Sequence, residues 1–379
     1  MKTVCGLDIH KDSVFVCILN ESGKKIESKI GVLTKELVEL RQLLIENNVS
    51  EVAMESTSIY WCPVWGILEG ICTLYLINPY FIKQLPGRKS DIKDAAWIAE
   101  CVLKKLIRGS FVPPKLVQDM RYFNRRIYDL NKDIVRKRAK LDAVLQRCNI
   151  RLSNYVSTTT GKAYQEIINL ICKGIVDPTI LIERVHGRTI NRHGREVIRA
   201  SLEGNISRVD ILIMGQLKAE IDFAELHKEE CQNELNNICK IELNEDFEHI
   251  LSIPGVKNRA ATAILSEIGP DMTSFETPSA LVSWCGLRPS NEESAGKIKS
   301  RKITHGNRYI RQTMIECAWS ASRTQDCYFS NFFIHQTAVR KKTKMKVIVA
   351  IARKLLIAIW HILKKKECYL DYSKLAQIG

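Results

Sequence analysis

Apolar and polar positions fall into different rhythms along the chain. In residues 1–112, short apolar runs are bounded by turn-forming residues: "VCGLDI" from Val4, "VFVCIL" from Val14, "EVAMES" from Glu51 and "CTLYLIN" from Cys72. Such runs predict strands. "KIESKIGV" leads a further strand out of the turn "NESGKK". "TKELVELRQLLIENN" carries Leu37, Leu40, Leu43 and Leu44 at helical spacing behind Thr34, a candidate N-cap. "DIKDAAWIAECVL" repeats that spacing through Ile92, Ala95, Ile98, Ala99 and Val102. The predicted order β-β-β-α-β-α-β-α describes an α/β domain over 1–112, an antiparallel meander followed by parallel strands with crossover helices.

"FVPPKLVQDM" breaks the pattern, because paired prolines end helices. Beyond it Leu116, Met120, Phe123, Ile127, Leu130, Ile134, Lys137, Leu141, Val144 and Cys148 step by four and three, the seam of a coiled coil. A second helical stretch from about Glu196 to Leu243 reads as its antiparallel return. A helical coiled-coil region is therefore predicted over 113–243 and a mainly α domain over 244–379. "KVIVAIARKLLIAIWHILKKK" is the most apolar long stretch. Arg353 and Lys354 at its centre make it a core or amphipathic helix, and no membrane span is expected.

Charge sharpens the picture. The 379 residues carry a net +15, which on a chain of ordinary hydrophobicity points to a polyanionic partner, most often nucleic acid. Between Lys115 and Arg151 stand 11 Lys and Arg against 4 Asp. Such an unbalanced face suits a phosphate backbone. The 13 cysteines are scattered singly with no C-x-x-C pair, so structural zinc is not expected and a reducing, cytoplasmic setting is. "MKTVCGLDIH" is too polar for a signal peptide.

Four carboxylates then stand out. Asp8 lies near the end of the first strand and Glu55 at the end of the fourth. In a sheet of the predicted order those strands are neighbours, and their carboxyl ends open on the edge where α/β folds place chemistry. Asp91 and Asp94 share one face at the start of the "DIKDA" helix. Taken singly, each has an ordinary role: a turn residue, a lysine partner, a helix-start carboxylate. Converging, they would repel one another, and one or two divalent cations, Mg²⁺ or Mn²⁺, would relieve that. Such ions promote displacement at phosphorus.

The order Asp, Glu, Asp-x-x-Asp resembles the RuvC branch of the ribonuclease H-like nucleases. "GLDIHKDS", "AMESTSIYW" and "INPYFIKQLPGRKSDIKDA", together with the C-terminal half, resemble the DEDD transposases of bacterial insertion sequences, the insertion sequence one-ten family of bridge-RNA-guided recombinases. The likeness covers the chain in three blocks. Ser58 and Ser90 depart from the family's glycine and threonine, and neither touches a carboxylate. The resemblance implies a RuvC-like fold for 1–112 and a Mg²⁺-bound site of Asp8, Glu55, Asp91 and Asp94. It also implies donor and target DNA, a structured guide RNA, a homo-oligomer (dimer or tetramer), and a bacterial, nucleoid-associated location.

"ILSIPGVKNRAATAILSEIG" reads as helix, tight turn, helix. It is similar to a helix-hairpin-helix element, with backbone N–H groups around Gly255 and Lys257 open to phosphate. An ordinary helical hairpin would show the same pattern. Downstream, Lys297, Lys299, Arg301, Lys302 and Arg308 crowd a predicted loop and helix start around "ESAGK". From spacing alone, Ser294 is a plain loop residue. The resemblance implies more: the family's Ser-Gly serine attacks DNA, and Ser294 matches it with Ala295 in place of the glycine. In that picture the carboxylates and Ser294 form a composite centre, and strands exchange through a phosphoserine link.

Rival readings remain. A junction resolvase of the same fold would use water as nucleophile and leave Ser294 idle. A sugar-kinase-like ATPase lacks its glycine-rich phosphate loops here. A non-catalytic nucleic-acid-binding protein would have no use for Asp8.

Overall fold

A computed structural model describes residues 2–56, 58–78, 91–107, 109–289, 292–294, 297–300 and 302–371, the side chains of 91–93, 292–294 and 297–300 excepted. The chain divides into two compact units, Met1–Val112 and Pro113–Gly379.

The first unit is a mixed five-stranded sheet, β3-β2-β1-β4-β5. Its strands are β1 (Thr3–Ile9), β2 (Val14–Asn20), β3 (Lys25–Ile30), β4 (Glu51–Glu55) and β5 (Thr73–Ile77). β1 to β3 form the antiparallel meander, and β1, β4 and β5 run parallel. This is compatible with a ribonuclease H-like DEDD domain. Helices α1 (Thr34–Glu46) and α2 (Trp61–Leu68) cover one face. Cys5, Leu7 and Ile9 of β1 pack there with Val52 and Met54 of β4 and Leu37, Leu40 and Leu44 of α1. Helix α3 (Asp91–Leu103) covers the other face. Val4 and Ala53 meet its Ile98 and Val102, and Cys17 meets Ala95, Ala96 and Ala99. Gly6 lets the two backbones touch: a Cβ there would lie 2.2 Å from the Ala95 carbonyl oxygen and 2.5 Å from the Ala99 nitrogen.

In the second unit, α4 (Lys115–Arg147) and α5 (Arg208–Glu242) pack side by side. Lys137 pairs with Glu220, Arg138 with Glu225 and Arg147 with Asp210, which makes the pair antiparallel. The seam differs by one position at each end from the predicted one. Val117 and Leu145 are buried where Leu116 and Val144 were expected, while Met120, Ile127, Leu130, Ile134, Leu141 and Cys148 are buried at their expected places. The return helix starts later than predicted. Gly204 and Asn205 break the chain, Asn205 N–H bonds the Cys148 carbonyl (3.0 Å), and Gly204 packs so closely on that carbonyl that a Cβ would lie 2.3 Å from it. Short helices, Lys162–Cys172 the longest, fold back on the arm and share its core through Ile167, Ile198 and Leu202.

Ser207 caps α5. Its hydroxyl oxygen accepts from Asp210 N–H (3.2 Å), and Asp210 accepts from the Ser207 N–H (3.0 Å) and hydroxyl (2.6 Å). These hydrogen bonds, with Arg147 as a lesser contributor, hold the Asp210 carboxyl at about 2 against an ordinary 3.8.

The remaining elements include α6 (Asn244–Leu251), α7 (Asn258–Ile268), α8 (Pro278–Trp284), β6 (Glu292–Ser294), β7 (Lys297–Ser300), α9 (Arg308–Ala321) and α10 (Lys344–Lys365), with a short helix Tyr328–Ile334 between the last two. The α6–turn–α7 hairpin occupies the predicted place. Part of the expected loop is strand: β6 and β7 pair antiparallel, Ser294 opposite Lys297, while Ala295 and Gly296 lie outside the described residues. α10 buries Val347, Ile351, Leu355, Ile359 and Leu363. No described helix is long and apolar enough to cross a membrane. Most cysteines are buried, and burial pushes the thiols of Cys239 and Cys317 up to about 12.

Two outcomes are expected. Gly6→Ala forces α3 off the sheet and lowers stability by roughly 1–3 kcal/mol in a denaturant titration. The depressed carboxyl of Asp210 stabilises the fold above the unfolded-state value, and this contribution is lost as pH falls through 3.8 toward 2. Thermal melts between pH 5 and 2 should therefore fall less steeply for Asp210→Asn than for the unchanged chain.

Candidate active site and nucleic-acid interface

Side chains alternate across a strand, and the packing fixes which way. With Cys5, Leu7 and Ile9 facing α1 and α2, Val4, Gly6 and Asp8 face α3. With Val52 and Met54 on the α1 side, Ala53 and Glu55 lie on the α3 side. Leu7 pairs with Met54 in the parallel β1–β4 register, so Asp8 and Glu55, one residue on, end neighbouring strands on the same face. The late residues of α3, Ile98 and Val102, pack on Val4 at the start of β1. The helix therefore points its first turn toward the strand ends. Asp8 lies two residues beyond Gly6, about 7 Å along the strand. Asp91 lies four residues before Ala95, about 6 Å along the helix axis. The two displacements match, and the backbone brings the start of α3 to the level of Asp8 and Glu55.

Asp8 is buried, 6% exposed, and its Oδ2 lies 3.0 Å from His10 Nε2. The His10 ring stands edge-on to Phe15 at 5.5 Å, and Phe15 pairs with Asp8 in register. Glu55 and Asp94 are half-buried. The Asp91 side chain lies outside the described residues, and among the described residues no group of three or more His, Cys, Asp or Glu forms a metal cluster. The donor chemistry nonetheless suits a hard cation: carboxylate oxygens from two strand ends and a helix start are what Mg²⁺ or Mn²⁺ takes. Sequence reasoning missed His10, two residues from Asp8 and on the same strand face; that spacing was the available signal.

In the second unit, a buried carboxylate organises the helices. Glu267 is fully buried. Arg125 donates to both its oxygens (Nε to Oε1 3.3 Å, Nη2 to Oε2 3.1 Å), Asn124 to Oε1 (3.1 Å) and Asn307 to Oε2 (2.7 Å). Arg121 donates to the Glu267 carbonyl oxygen (3.2 Å from Nε), and burial lowers its guanidinium to about 10 against the opposing pull of Glu267. Asn307 also caps α9, accepting from Tyr309 N–H (2.9 Å). Glu267 thus ties α4, α7 and α9 together, and Asn307 is the root of the β6–β7 hairpin. That root is narrow. Asn307 N–H bonds the Trp284 carbonyl (3.0 Å), Thr304 N–H bonds the Arg288 carbonyl (2.8 Å), and a Cβ on Gly306 would lie 2.3 Å from the Gly286 nitrogen. Ser294 ends β6; its side chain, and those of Lys297 and Lys299, lie outside the described residues, as does Arg301. The signal for Glu267 was a lone acid in the apolar run "AILSEIG".

Gly255 has a packing reason of its own. Its φ is +85°, and a Cβ would lie 2.5 Å from the Ala321 nitrogen of α9. Lys257 is exposed at the N-cap of α7, and Arg308 and Lys302 are exposed. Arg308 lies over the rings of Tyr128 (5.7 Å) and Tyr309 (4.9 Å). Much of the basic surplus on α4 is spent within the chain: Arg121 and Arg125 on Glu267, Lys137, Arg138 and Arg147 on acids of α5. Arg126, Lys132 and Lys140 are exposed and make no ion pair among the described residues.

This carboxylate-ended sheet, with its second, basic helical unit, belongs to the DEDD class of transposases: the DEDD family model, described as a transposase, matches residues 5–150. A model described as the transposase IS116/IS110/IS902 family matches residues 247–333. The chain is a member of the IS110 family of transposases, enzymes that cut and rejoin DNA. It is similar to the transposase for insertion sequence element IS1111A of Coxiella burnetii, 23% identical over 97% of this chain and 91% of that protein. It is also similar to a probable family 20 transposase of Pseudomonas aeruginosa, 22% identical over 84% and 85%. A pilin gene-inverting protein of Moraxella bovis is 28% identical over 34% of this chain and 40% of its own length.

Glu267→Ala should cost about 3 kcal/mol, because charge-assisted hydrogen bonds are lost and Asn124 and Asn307 lose a partner. Denaturant unfolding monitored by tryptophan fluorescence, with Trp284 near the network, checks it.

Proposed function

We propose that this transposase exchanges DNA strands through a covalent serine link, with Asp8, Glu55, Asp91 and Asp94 holding Mg²⁺ or Mn²⁺ and Ser294 as nucleophile. The observation that carries this reading is the placement of Asp8 and Glu55 at neighbouring strand ends on the face covered by the Asp-x-x-Asp helix. A divalent ion bound there supplies charge to stabilise the phosphorane-like transition state. Asp8, buried against His10, is held in one orientation by that contact. Ser294 gives up its proton, its oxygen bonds to phosphorus, the bond from phosphorus to the departing deoxyribose oxygen breaks, and that oxygen takes up a proton, so the step is proton-neutral. A hydroxyl of another strand then attacks the phosphoserine and releases the serine. One phosphodiester is exchanged for another, so no nucleotide cofactor is consumed.

The narrow hairpin root supports a fixed presentation of the strand that ends in Ser294. The three regions divide the work. Residues 1–112 carry the carboxylate chemistry and 113–243 form a coiled-coil arm for assembly. Residues 244–379 handle DNA with a helix-hairpin-helix-like element and the serine hairpin. Lys257, Lys297, Lys299, Arg301, Lys302 and Arg308 contact phosphates, with the Gly255 turn positioning Lys257. A structured RNA guides target choice, and a dimer or tetramer carries the reaction. A Moraxella bovis relative is named a pilin gene-inverting protein, and inversion by this chain would be the same exchange between sites on one molecule.

The experiment is recombination of the element's ends by the full chain with its flanking RNA and Mg²⁺. Asp8→Asn and Ser294→Ala should each fall to background, and a protein–DNA adduct should appear in denaturing gels for the unchanged chain and vanish in Ser294→Ala. Cutting that persists in Ser294→Ala would assign the nucleophile to water and the chain to resolvase chemistry.

A further inference from the structure

A cleft of about 300 Å³ opens in the second unit between α4, α5, α7 and α9. Four side-chain amides line it, from Asn124, Asn131, Gln232 and Gln312, together with the rings of Tyr128 and Tyr309. Three of the amide nitrogens are already engaged: Asn124 with Glu267, Gln232 with Thr262 and Gln312 with Glu316. Their oxygens remain to accept hydrogen bonds, and acceptors at fixed positions are what the N–H groups of a nucleobase edge require. The tyrosine rings meet edge to face at 4.9 Å. Two exposed cations cover their outer faces, Lys132 over Tyr128 at 4.4 Å and Arg308 over both rings. Either cation can pass from ring to phosphate, which uncovers an aromatic face for stacking. Lys257 and Arg259 stand at the mouth, and Glu316 is the only carboxylate among the described lining residues.

The volume lies at the small end of ligand sites. It admits one base with its sugar and excludes a duplex. The combination of amide acceptors, paired aromatics and a cationic rim is that of a pocket for a single unstacked base on a charged strand.

We propose that this cleft holds one unpaired nucleotide of a single-stranded DNA or RNA segment, its base between the amides and Tyr128 and its phosphates on Lys132, Lys257 and Arg308. The proposal rests on the reading of the chain as a transposase that handles nucleic acid, and adds to backbone contact a site that takes a base.

The test compares strands of equal charge. Fluorescence anisotropy with the full chain measures binding of a short single-stranded homopolymer and of a fully abasic strand of the same length, each as DNA and as RNA. The intact strand should bind tighter by roughly fivefold to a hundredfold. In Tyr128→Leu, and in Asn131→Ala combined with Gln312→Ala, that ratio should fall toward one. A 5-iodouracil strand should photocrosslink to peptides of α4 or α9. The sugar type that shows the preference identifies the strand. Equal binding of intact and abasic strands overturns the proposal and leaves backbone binding standing, as do variants that keep the ratio or crosslinks that map elsewhere. Absence of binding to every strand overturns both the proposal and the nucleic-acid reading beneath it.

Discussion

Helix α3 and strand β1 touch backbone to backbone, and the geometry of the N-terminal unit follows from that contact. A glycine on the strand and three alanines on the helix leave no side chain long enough to hold the layers apart. Close approach fixes both the rotation of the helix and its slide along the strand, because interiors pack without slack. The end of β1 that carries Asp8 and the first turn of α3 thereby lie at a common level, though more than 80 positions separate them along the chain.

Whatever is local or periodic is legible in the sequence. Strand positions, the β1–β4 adjacency and the sheet's alternation all follow from short apolar runs and connection rules. The arm is legible too, but its seam is off by one at each end, since Leu116 and Val117, like Val144 and Leu145, are equally apolar and only the partner helix chooses between them. The break before α5 hides inside "LEGNIS", because its glycine is required by close contact with the Cys148 carbonyl, 56 positions earlier. In the β6–β7 hairpin the density of lysines masks the alternation K-I-K-S. The network of Glu267 is illegible for a different reason: its partners stand 40 to 146 positions away, and no local pattern announces them.

Net charge is a sound guide to partner class and a poor guide to location. The surplus on α4 suggests one long basic face. Instead several of those cations neutralise acids of the same unit, and one pair sits on a buried carboxylate. Half-exposed ion pairs of this kind add little stability individually, but they orient the arm and leave a smaller set, Arg126, Lys132 and Lys140, facing solvent. The unpaired cations of α4 therefore stand at separate positions, Lys132 beside the tyrosine pair, and do not form one continuous basic face.

The distribution of thiols has a practical corollary. Burial and a raised pKa keep most of the cysteines in their protonated, unreactive form, whereas Cys62 and Cys368 are exposed, one in each unit. A maleimide dye pair attached at those two positions makes the native chain, without engineered sites, a ruler for the separation of the two units with and without nucleic acid.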